Sequence, residues 1–334
     1  MSNLKIALPS KGALDKDTRQ FFAAAGLKVS RPNERQYVGT IPALGISVLF
    51  QRAADIFTKV AEESVDLGIT GYDIVRENGR DYDNVIVICH RLGYGGCDLV
   101  LAVPDSWIDV TSSQDLADLT LVFKEKGRDM RIATKYPNLT RQWFYSKRIV
   151  NFSLVEAHGA LEAAPSMGYA DAIVDLTSTG TTLRENRLKR LLDGNIIESE
   201  ACLIGNRNTL KGNQEKLATT KVMLELIEAH SLGKKYISLT ANVRGNSPEE
   251  IGQKLTQDLD IAGLAGLAGP TVAKVYGAED DCYGATIVVS KKDVSAAVEH
   301  LRRVGGRDIT GFTSNYIFGD RSNIYEYLIT KLNH

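Results

Sequence analysis

Short apolar runs alternate with helix-period segments through roughly the first two hundred residues of the chain. The runs, such as residues 6–8, 67–70 and 172–176, have the length of buried strands, and the segments between them carry the 3.6-residue repeat of amphipathic helices. This alternation predicts an α/β fold with a largely parallel sheet. Ligands of such sheets bind at the carboxyl ends of the strands, so the turns after the apolar runs are the places to search for a site.

The last hundred residues follow a different pattern. A polar stretch at 205–213 and a helical stripe up to about residue 232 precede strand, helix, two strands, helix and strand, which is the βαββαβ order of a ferredoxin-like domain. Both helices of this domain have start signals, since Ser247 precedes Pro248 and Ser290 has Asp293 three residues on. We therefore predict a separate C-terminal domain.

The charge balance excludes two classes of partner. The chain has 40 Lys and Arg against 41 Asp and Glu, so it lacks the basic surface of a protein dedicated to nucleic acids or membrane surfaces. No apolar run reaches the roughly 18 residues that cross a bilayer, and the four cysteines form no CxxC pair. We expect a cytoplasmic protein that binds small molecules and copies of itself, with no nucleic acid and no membrane.

The strongest local signal is the segment DAIVDLTSTGTTL, residues 171–183. An apolar strand delivers Asp175 to a hydroxyl-rich turn, which opens onto a helix whose first backbone N–H groups lack intrahelical partners. Such N–H groups bind phosphate, and Gly180 lets the backbone approach the ligand closely. Asp175 suits a ribose hydroxyl or a magnesium-bound water. The alternative is a turn that only caps the helix. The added hydroxyl donors are those of Ser178, Thr179, Thr181 and Thr182.

Two cations also follow predicted strands. Lys11 comes after the strand at 6–8 and Arg52 after the strand at 47–50, so each can bind an anion at the sheet edge or be a solvated rim charge. Arg35 lies in a less regular region and is a further candidate. Glu162 is a candidate base or positioning residue, and its alternative role is that of a helix-dipole partner. The sequence contains no HExxH, GxSxG or Walker A motif.

Four motifs together resemble the ATP phosphoribosyltransferase family, the first enzyme of histidine biosynthesis. They are DLGITGYD (66–73), LGYGGCDL (92–99), RIATKYP (131–137), and ADAIVD (170–175) running into STGTTL (178–183). The C-terminal βαββαβ segment, with GLAGPT (266–271) and SKKDV (290–294), is similar to the regulatory domain of the long form of that family.

The resemblance implies a two-lobed catalytic domain of the periplasmic-binding-protein type plus a ferredoxin-like, ACT-like regulatory domain. The implied boundaries are 1–95 with 184–206 for the first lobe, 96–183 for the second lobe with its phosphate-binding turn, 207–232 for a linker and helix, and 233–334 for the regulatory domain. The active site then lies in the cleft between the lobes, and the chain crosses the hinge near Gly96 and again at about 183–201.

The resemblance also implies a reaction. ATP and phosphoribosyl pyrophosphate form 1-(5-phosphoribosyl)-ATP and pyrophosphate, with Mg²⁺ held through the substrates. Lys11, Arg52 and Glu162 are the implied catalytic residues. The implied substrate-binding residues are Arg35, Gly71, Asp73, Asp171, Asp175, Ser178, Thr179, Gly180, Thr181 and Thr182.

By the same resemblance, L-histidine inhibits the enzyme at Thr240, Thr271 and Gly284, and the protein is a homo-oligomer, either a dimer or a hexamer. The sequence departs from the family where Ala13 stands in place of an arginine and where Thr240 stands in place of an aspartate. Two alternatives have the same scaffold: a two-lobed binding or sensor protein, and a lyase similar to prephenate dehydratase.

Overall fold

The computed structural model describes residues 4–33, 35–156, 159–256, 269–276 and 281–333. Residues 266–268 of the GLAGPT motif lie outside these ranges. The chain forms two compact units, the first comprising Met1–Phe21, Lys28–Thr220 and Tyr327–His334 and the second Phe22–Leu27 and Lys221–Glu326. No helix in the described ranges has the length and apolar character needed to span a membrane.

The first unit contains two sheets, of which the first has six strands in the order β2-β3-β1-β4-β11-β5. β1 is parallel to β3 and β4, whereas β11 is antiparallel to β4 and β5. Helix α2 buries Ile56, Phe57 and Val60 against this sheet. The strands are β1 (Lys5–Pro9), β2 (Val38–Ile41), β3 (Ile46–Gln51), β4 (Leu67–Gly71), β5 (Val85–Cys89) and β11 (Ala201–Asn206), and the helices are α1 (Gly12–Ala24), α2 (Ala53–Ala61) and α3 (Tyr72–Asn78).

The second sheet has five strands in the order β10-β6-β9-β7-β8. β7 is parallel to β8 and β9, and β6 is antiparallel to β9 and β10. Leu139, Trp143 and Phe144 of α5 are buried in its core. The strands are β6 (Cys97–Pro104), β7 (Met130–Thr134), β8 (Phe152–Glu156), β9 (Ala172–Thr177) and β10 (Leu188–Ser199), and the helices are α4 (Ser113–Glu125), α5 (Pro137–Ser146) and α6 (Thr181–Glu185).

The observed boundary between the lobes differs from the predicted one at the strands that link the two sheets. We predicted residues 184–206 in the first lobe, but β10 pairs with β6 of the second sheet and only β11 returns to the first. The reason is that Leu188 and Leu191 are buried in the cores of the second lobe. The prediction of a largely parallel sheet is also incomplete, because β6, β10 and β11 run antiparallel to their neighbours.

The second unit contains a four-stranded antiparallel sheet in the order β13-β14-β12-β15. The order matches the ferredoxin-like fold expected from the βαββαβ pattern. Helices α9 and α10 bury Ile251, Ala297 and Leu301 on one face of the sheet. The strands are β12 (Tyr236–Arg244), β13 (Thr271–Lys274), β14 (Cys282–Ser290) and β15 (Arg307–Phe312), and the helices are α9 (Pro248–Thr256) and α10 (Val294–Arg303).

The remaining helices are α7 (Arg207–Leu210), α8 (Gln214–Gly233) and α11 (Asn323–Asn333). Helix α11 occupies a segment to which the sequence patterns assigned no element. Its first turn is held by Glu228, whose carboxylate accepts hydrogen bonds from Ser322 Oγ at 2.6 Å and from the backbone N–H of Asn323 at 3.2 Å. This is an N-terminal cap supplied by another helix, and no local sequence signal could reveal it.

Candidate active site

The first sheet brings two predicted cations to one edge. Lys11 directly follows the turn after β1, and Arg52 directly follows β3. The backbone N–H of Ser10 donates to Gln51 O at 2.8 Å, which holds the two strand ends together. Lys11 and Arg52 are both exposed, so their charges are available at the carboxyl edge of the sheet, where an α/β fold binds its ligands.

Arg35 belongs to the loop that enters β2 at this same edge. The backbone N–H of Phe50, near the end of β3, donates to Tyr37 O at 2.8 Å, which ties the loop to the strand end. Arg31 is a cation in this loop that our sequence analysis did not select. Its guanidinium stacks over the Phe50 ring at 4.1 Å and donates to Gln36 O at 2.7 Å, so it stabilises the loop that carries Arg35.

Asp175 lies near the carboxyl end of β9 in the second lobe. Burial raises the pKa of its carboxyl group, the nearby charge of Glu162 raises it further, and a hydrogen bond from the Leu176 N–H at 2.8 Å and the charge of Lys135 oppose this shift. Glu162 lies in a short 3-10 helix, Leu161–Ala163. The two predicted acidic residues are therefore neighbours.

The hydroxyl-rich turn follows β9 directly. Gly180 has φ +71° and is the N-cap of α6, and its N–H donates to Thr177 Oγ1 at 2.9 Å. The Thr179 and Thr181 hydroxyls lie 3.0 Å apart, and both residues are exposed. Helix α6 has only five residues, so its dipole is weaker than predicted. The exposed hydroxyls of residues 178–182 are the features of this turn that suit an anion.

Gly71 and Asp73 form a structural link between the lobes. The Asp73 carboxylate is buried, and it accepts hydrogen bonds from Ser199 Oγ at 2.6 Å and Tyr136 Oη at 2.7 Å. A Cβ at Gly71 would collide with Asp73 Oδ1, which explains the glycine. Both carboxylate oxygens of Asp73 thus have protein donors, and the predicted contact of this residue with substrate stays a prediction.

A second carboxylate on α3 makes a similar link that the sequence analysis missed. Glu77 is buried, and its two oxygens accept hydrogen bonds from the N–H groups of Asn138 at 2.8 Å and Leu139 at 2.9 Å. It therefore caps the N-terminus of α5 in the other lobe. The i, i+4 spacing of Asp73 and Glu77 puts both carboxylates on one face of α3, and this was the available signal in the sequence.

The structure does not bring Asp171 to the site. Asp171 precedes β9, a strand of six residues, so it lies about 20 Å from the 178–182 turn at roughly 3.3 Å per residue. Its carboxylate pairs with Arg128 at 2.7 Å and with Arg131 at 3.2 Å. Asp171 therefore lies at the opposite end of β9 from the turn and has two arginine partners, and its assignment to substrate binding stays a prediction.

A cavity of about 650 Å³ separates the two lobes beside α3 and α5. Lys135 and Arg141 supply positive charge, and Ile74, Leu154 and Val155 supply apolar surface. This volume lies within the usual range for small-molecule sites. The walls are Ala54, Ile74, Glu77 and Asn78 of the first lobe and residues 134–138, Arg141 and 154–156 of the second.

A smaller cavity of about 210 Å³ lies where the chain crosses between the lobes. Ser178 of the hydroxyl-rich turn lines it, together with Gly96, Cys97 and Ser199 from the crossing strands. Burial raises the pKa of the Cys97 thiol to about 11. A thiol with this pKa is protonated at neutral pH, so Cys97 is not an activated nucleophile.

The residues predicted to bind histidine lie on or near a row of threonines in the C-terminal sheet. Thr240 pairs in register with Thr286, which pairs with Thr271 on its other side, and Thr310 pairs with Thr240. The Thr240 and Thr286 hydroxyls lie 2.8 Å apart. Gly284 lies two residues from Thr286 on β14. The row occupies the sheet face opposite the helices, since Leu239 and Ala285 face the core.

Among the described residues, no group of three or more His, Cys, Asp or Glu side chains has an arrangement that could hold a metal ion. The carboxylate of Asp175, half-buried near the carboxyl end of β9, is the acidic group that precedes the hydroxyl-rich turn.

Comparisons with known proteins give the following matches. A family profile described as ATP phosphoribosyltransferase matches residues 52–228, and one described as the C-terminal domain of HisG matches residues 233–313. The chloroplastic ATP phosphoribosyltransferase 2 of Arabidopsis thaliana is 36% identical over 98% of this chain and 80% of its own length. The ATP phosphoribosyltransferase of Nitrobacter winogradskyi is 36% identical over 98% of each chain.

A solved structure also matches the first part of the chain. The ATP phosphoribosyl transferase (HisG:HisZ) complex from Thermotoga maritima contains a chain that is 26% identical, with a TM-score of 0.51. The match covers 67% of this chain and 98% of the Thermotoga maritima chain.

Proposed function

The chain belongs to the ATP phosphoribosyltransferase family, which forms 1-(5-phosphoribosyl)-ATP and pyrophosphate from ATP and phosphoribosyl pyrophosphate, and we propose that it binds both substrates between its two α/β lobes. The observation that carries this assignment is the exposed hydroxyl-rich turn at 178–182 directly after the half-buried Asp175. Backbone N–H groups and hydroxyls at such a turn suit a phosphate dianion.

In this proposal the turn binds the 5′-phosphate of phosphoribosyl pyrophosphate. Ser178, Thr179, Thr181 and Thr182 donate hydroxyl hydrogen bonds, and Gly180 lets the backbone reach the phosphate. The Asp175 carboxylate accepts hydrogen bonds from the ribose hydroxyls, a role for acidic residues in other nucleotide sites. Glu162 faces the ribose or adenine region, which its proximity to Asp175 supports.

ATP lies toward the first lobe. Lys11, Arg35 and Arg52 neutralise triphosphate or pyrophosphate charge, a role supported by the positions of their segments at the carboxyl edge of the first sheet. The loss of an arginine at Ala13 is offset by the other cations of this edge. Gly71 and Asp73 support the site through the link between α3 and the second lobe.

The chemistry requires no activated nucleophile from the protein. Adenine N1 attacks C1 of the ribose with inversion, and the electron pair of the C1–O bond leaves with pyrophosphate. The transition state has oxocarbenium character and a departing polyanion, so positioning of the two substrates and cationic donors can supply most of the rate enhancement.

Mg²⁺ is the proposed cofactor, and it is held mainly by the substrate phosphates. A magnesium ion commonly retains several waters and uses few protein carboxylates, and Asp175 fits as the partner of a magnesium-bound water. When bound, the ion neutralises charge on the pyrophosphate.

L-Histidine inhibits the enzyme through the C-terminal domain. The family profile for this domain and the polar threonine row with Gly284 beside it support the assignment. The hydroxyls of Thr240 and Thr271 can bind the polar groups of an amino acid, and Gly284 leaves space beside them.

The enzyme assembles with copies of itself as a dimer or a hexamer. The Thermotoga maritima protein is solved as a HisG:HisZ complex, and two-thirds of the present chain covers nearly all of the matched chain. Sedimentation with and without histidine tests this state. A cytoplasmic location stays a prediction.

The test of the proposed function is initial-rate pyrophosphate release with ATP, phosphoribosyl pyrophosphate and Mg²⁺, with each omitted in turn and with histidine added. We expect release only when all three are present, and suppression by histidine. A double variant, Thr179→Val with Thr181→Val, should raise the KM for phosphoribosyl pyrophosphate about tenfold or more, since two hydrogen bonds to a charged group are lost. An unchanged KM would contradict the assignment of the turn.

The alternatives from the sequence have no comparable support. A binding or sensor protein would retain the ligands without turnover, and a lyase would release no pyrophosphate from this substrate pair. Pyrophosphate release in the same assay therefore separates the transferase from both alternatives.

A further inference from the structure

Lys135 is an exposed cation in the cleft between the lobes. It directly follows β7 and lines the cavity of about 650 Å³ between the lobes. In the described part of the chain it forms no salt bridge. A cation at the carboxyl end of a central strand is therefore available to a ligand.

The strand register puts Lys135 beside Asp175. β7 and β9 are parallel, and Thr134 pairs with Val174, so the next residue on each strand is at the same level. In a sheet such neighbours lie on the same face. Asp175 comes three residues before Ser178 of the turn, and this puts Lys135 at the level of the ribose and not of the 5′-phosphate.

Asp73 and Glu77 of α3 contact Tyr136 and the first turn of α5, and we call these contacts the α3–α5 junction. This junction holds the segment that begins with Lys135. Tyr136, the next residue, donates to Asp73 Oδ2 at 2.7 Å, and Glu77 accepts from the N–H groups of Asn138 and Leu139. Burial of Tyr136 and the neighbouring charge of Asp73 raise the pKa of its phenol, so the hydroxyl remains a donor. Both acceptors are buried and belong to the first lobe, so the junction sets where Lys135 lies relative to that lobe.

We propose that Lys135 binds the pyrophosphate group of phosphoribosyl pyrophosphate and stabilises it as it leaves, and that Asp73 and Glu77 are positioning residues for Lys135. In the step, the N1–C1 bond forms, the C1–O bond breaks, and the electron pair goes to the departing pyrophosphate oxygen. The Lys135 ammonium, with three donors, faces the charge that develops there. The inference rests on the binding mode proposed above.

The test compares Lys135→Gln, Lys135→Arg and Lys126→Gln. Lys126 is an exposed lysine at the C-cap of α4, before β7 begins, and serves as the matched control. We expect Lys135→Gln to lower kcat/KM for phosphoribosyl pyrophosphate about 10²-fold, the usual effect of removing one donor to developing charge. The KM for ATP should stay within about threefold, and Lys135→Arg should recover much of the loss because it retains the charge.

Binding of inorganic pyrophosphate, measured by calorimetry, provides a second measurement without turnover. Its Kd should rise about tenfold or more in Lys135→Gln and should be unchanged in Lys126→Gln. Equal pyrophosphate affinity in the wild type and in Lys135→Gln, or a kcat/KM within about threefold of wild type, would overturn the inference. Failure of the proposed function has a different signature, because the wild-type protein itself would release no pyrophosphate.

The positioning role proposed for Glu77 is tested with the variant Glu77→Gln. Glu77→Gln retains a similar shape but has only one acceptor oxygen on its side chain. We expect weaker binding of inorganic pyrophosphate and a lower kcat at an unchanged KM for ATP. The addition of Lys135→Gln should then have little further effect, since both act through one contact. Fully additive losses would show that Glu77 acts only on stability.

Discussion

Asp171 and Asp175 lie on one strand, but their surroundings move their pKa values in opposite directions. Burial acts on both carboxyl groups. For Asp171 the hydrogen bonds from Arg128 and Arg131 outweigh this effect and lower the pKa. For Asp175 burial dominates and raises it. The structure therefore predicts that the ionised form of Asp171 contributes to stability and that the ionised form of Asp175 costs stability.

Asp171→Asn should destabilise the fold and spare catalysis. Loss of charged hydrogen bonds to two arginines costs about 1–3 kcal/mol in the free energy of unfolding. Because the folded pKa is lowered, this contribution is present at pH values above the unfolded pKa and is lost as the pH falls through the folded pKa. Denaturant unfolding at several pH values measures it. A large change in KM for either substrate would contradict the assignment of Asp171 as structural.

Asp175→Asn should have the reverse effect. Because the folded pKa is raised, the ionised carboxylate lowers stability at pH values above the folded pKa, and this penalty disappears as the group becomes protonated. The variant should therefore be as stable as wild type or more stable at pH 7, while kcat/KM for phosphoribosyl pyrophosphate falls about 10²-fold or more. The wild-type acid limb in a pH–rate profile should lie above the ordinary aspartate pKa. A less stable variant that retains activity would refute this prediction.

Helices α3 and α5 form a junction between the lobes. In this junction the effect of helix packing on the rate can be tested separately from the chemistry of the reaction. Asp73 and Glu77 of α3 accept hydrogen bonds from Tyr136 and the first turn of α5. None of these groups requires contact with substrate to affect the rate, because the segment that they hold carries Lys135. Substitutions in this junction therefore test how the contact between the two helices affects the rate.

Tyr136→Phe removes one bond of the junction. It leaves Asp73 Oδ2 buried without that donor, which costs about 1–3 kcal/mol of stability. We expect kcat to fall together with the affinity for pyrophosphate. Tyr145→Phe is the matched control, since Tyr145 lies on the same helix but is 58% exposed. Thermal unfolding and initial rates of both variants measure the effect, and equal behaviour of the two would argue against the junction.

At the scale of the whole molecule, the chain combines a two-lobed catalytic unit with a ferredoxin-like domain. The threonine row crosses all four strands of this domain's sheet and includes Thr286, which the sequence analysis did not select. Its hydroxyl lies 2.8 Å from that of Thr240. Regulation by a polar ligand on this row should therefore be separable from catalysis by a substitution that removes one hydroxyl.

Thr286→Val tests this separation. We expect the histidine concentration for half-inhibition to rise about tenfold, which corresponds to about 1.4 kcal/mol of binding free energy, while kcat without histidine is unchanged. Ser295→Ala is the control, because Ser295 is exposed on α10, on the helix side of the sheet. Unchanged inhibition in Thr286→Val would move the histidine site elsewhere.

Local sequence patterns predicted the α/β character of the catalytic part, the βαββαβ order of the C-terminal domain and the turn after Asp175. These features come from periodicity and turn chemistry within a few neighbouring residues. The family motifs added the reaction, which the relatives support. Lys11 and Arg52 could be assigned to one edge because parallel strands end on the same side of a sheet.

The pairing of buried carboxylates across the two lobes could not be predicted from local patterns, because it depends on long-range packing. Asp73 and Tyr136 are 63 residues apart in the chain, Glu77 and Asn138 are 61 apart, and Asp73 and Ser199 are 126 apart. Whether a buried carboxylate accepts a hydrogen bond from such a partner depends on how the lobes pack. The same packing draws β10 into the second sheet and leaves Asp171 at the far end of β9, because strand pairing and the burial of apolar side chains are long-range effects that no local pattern encodes.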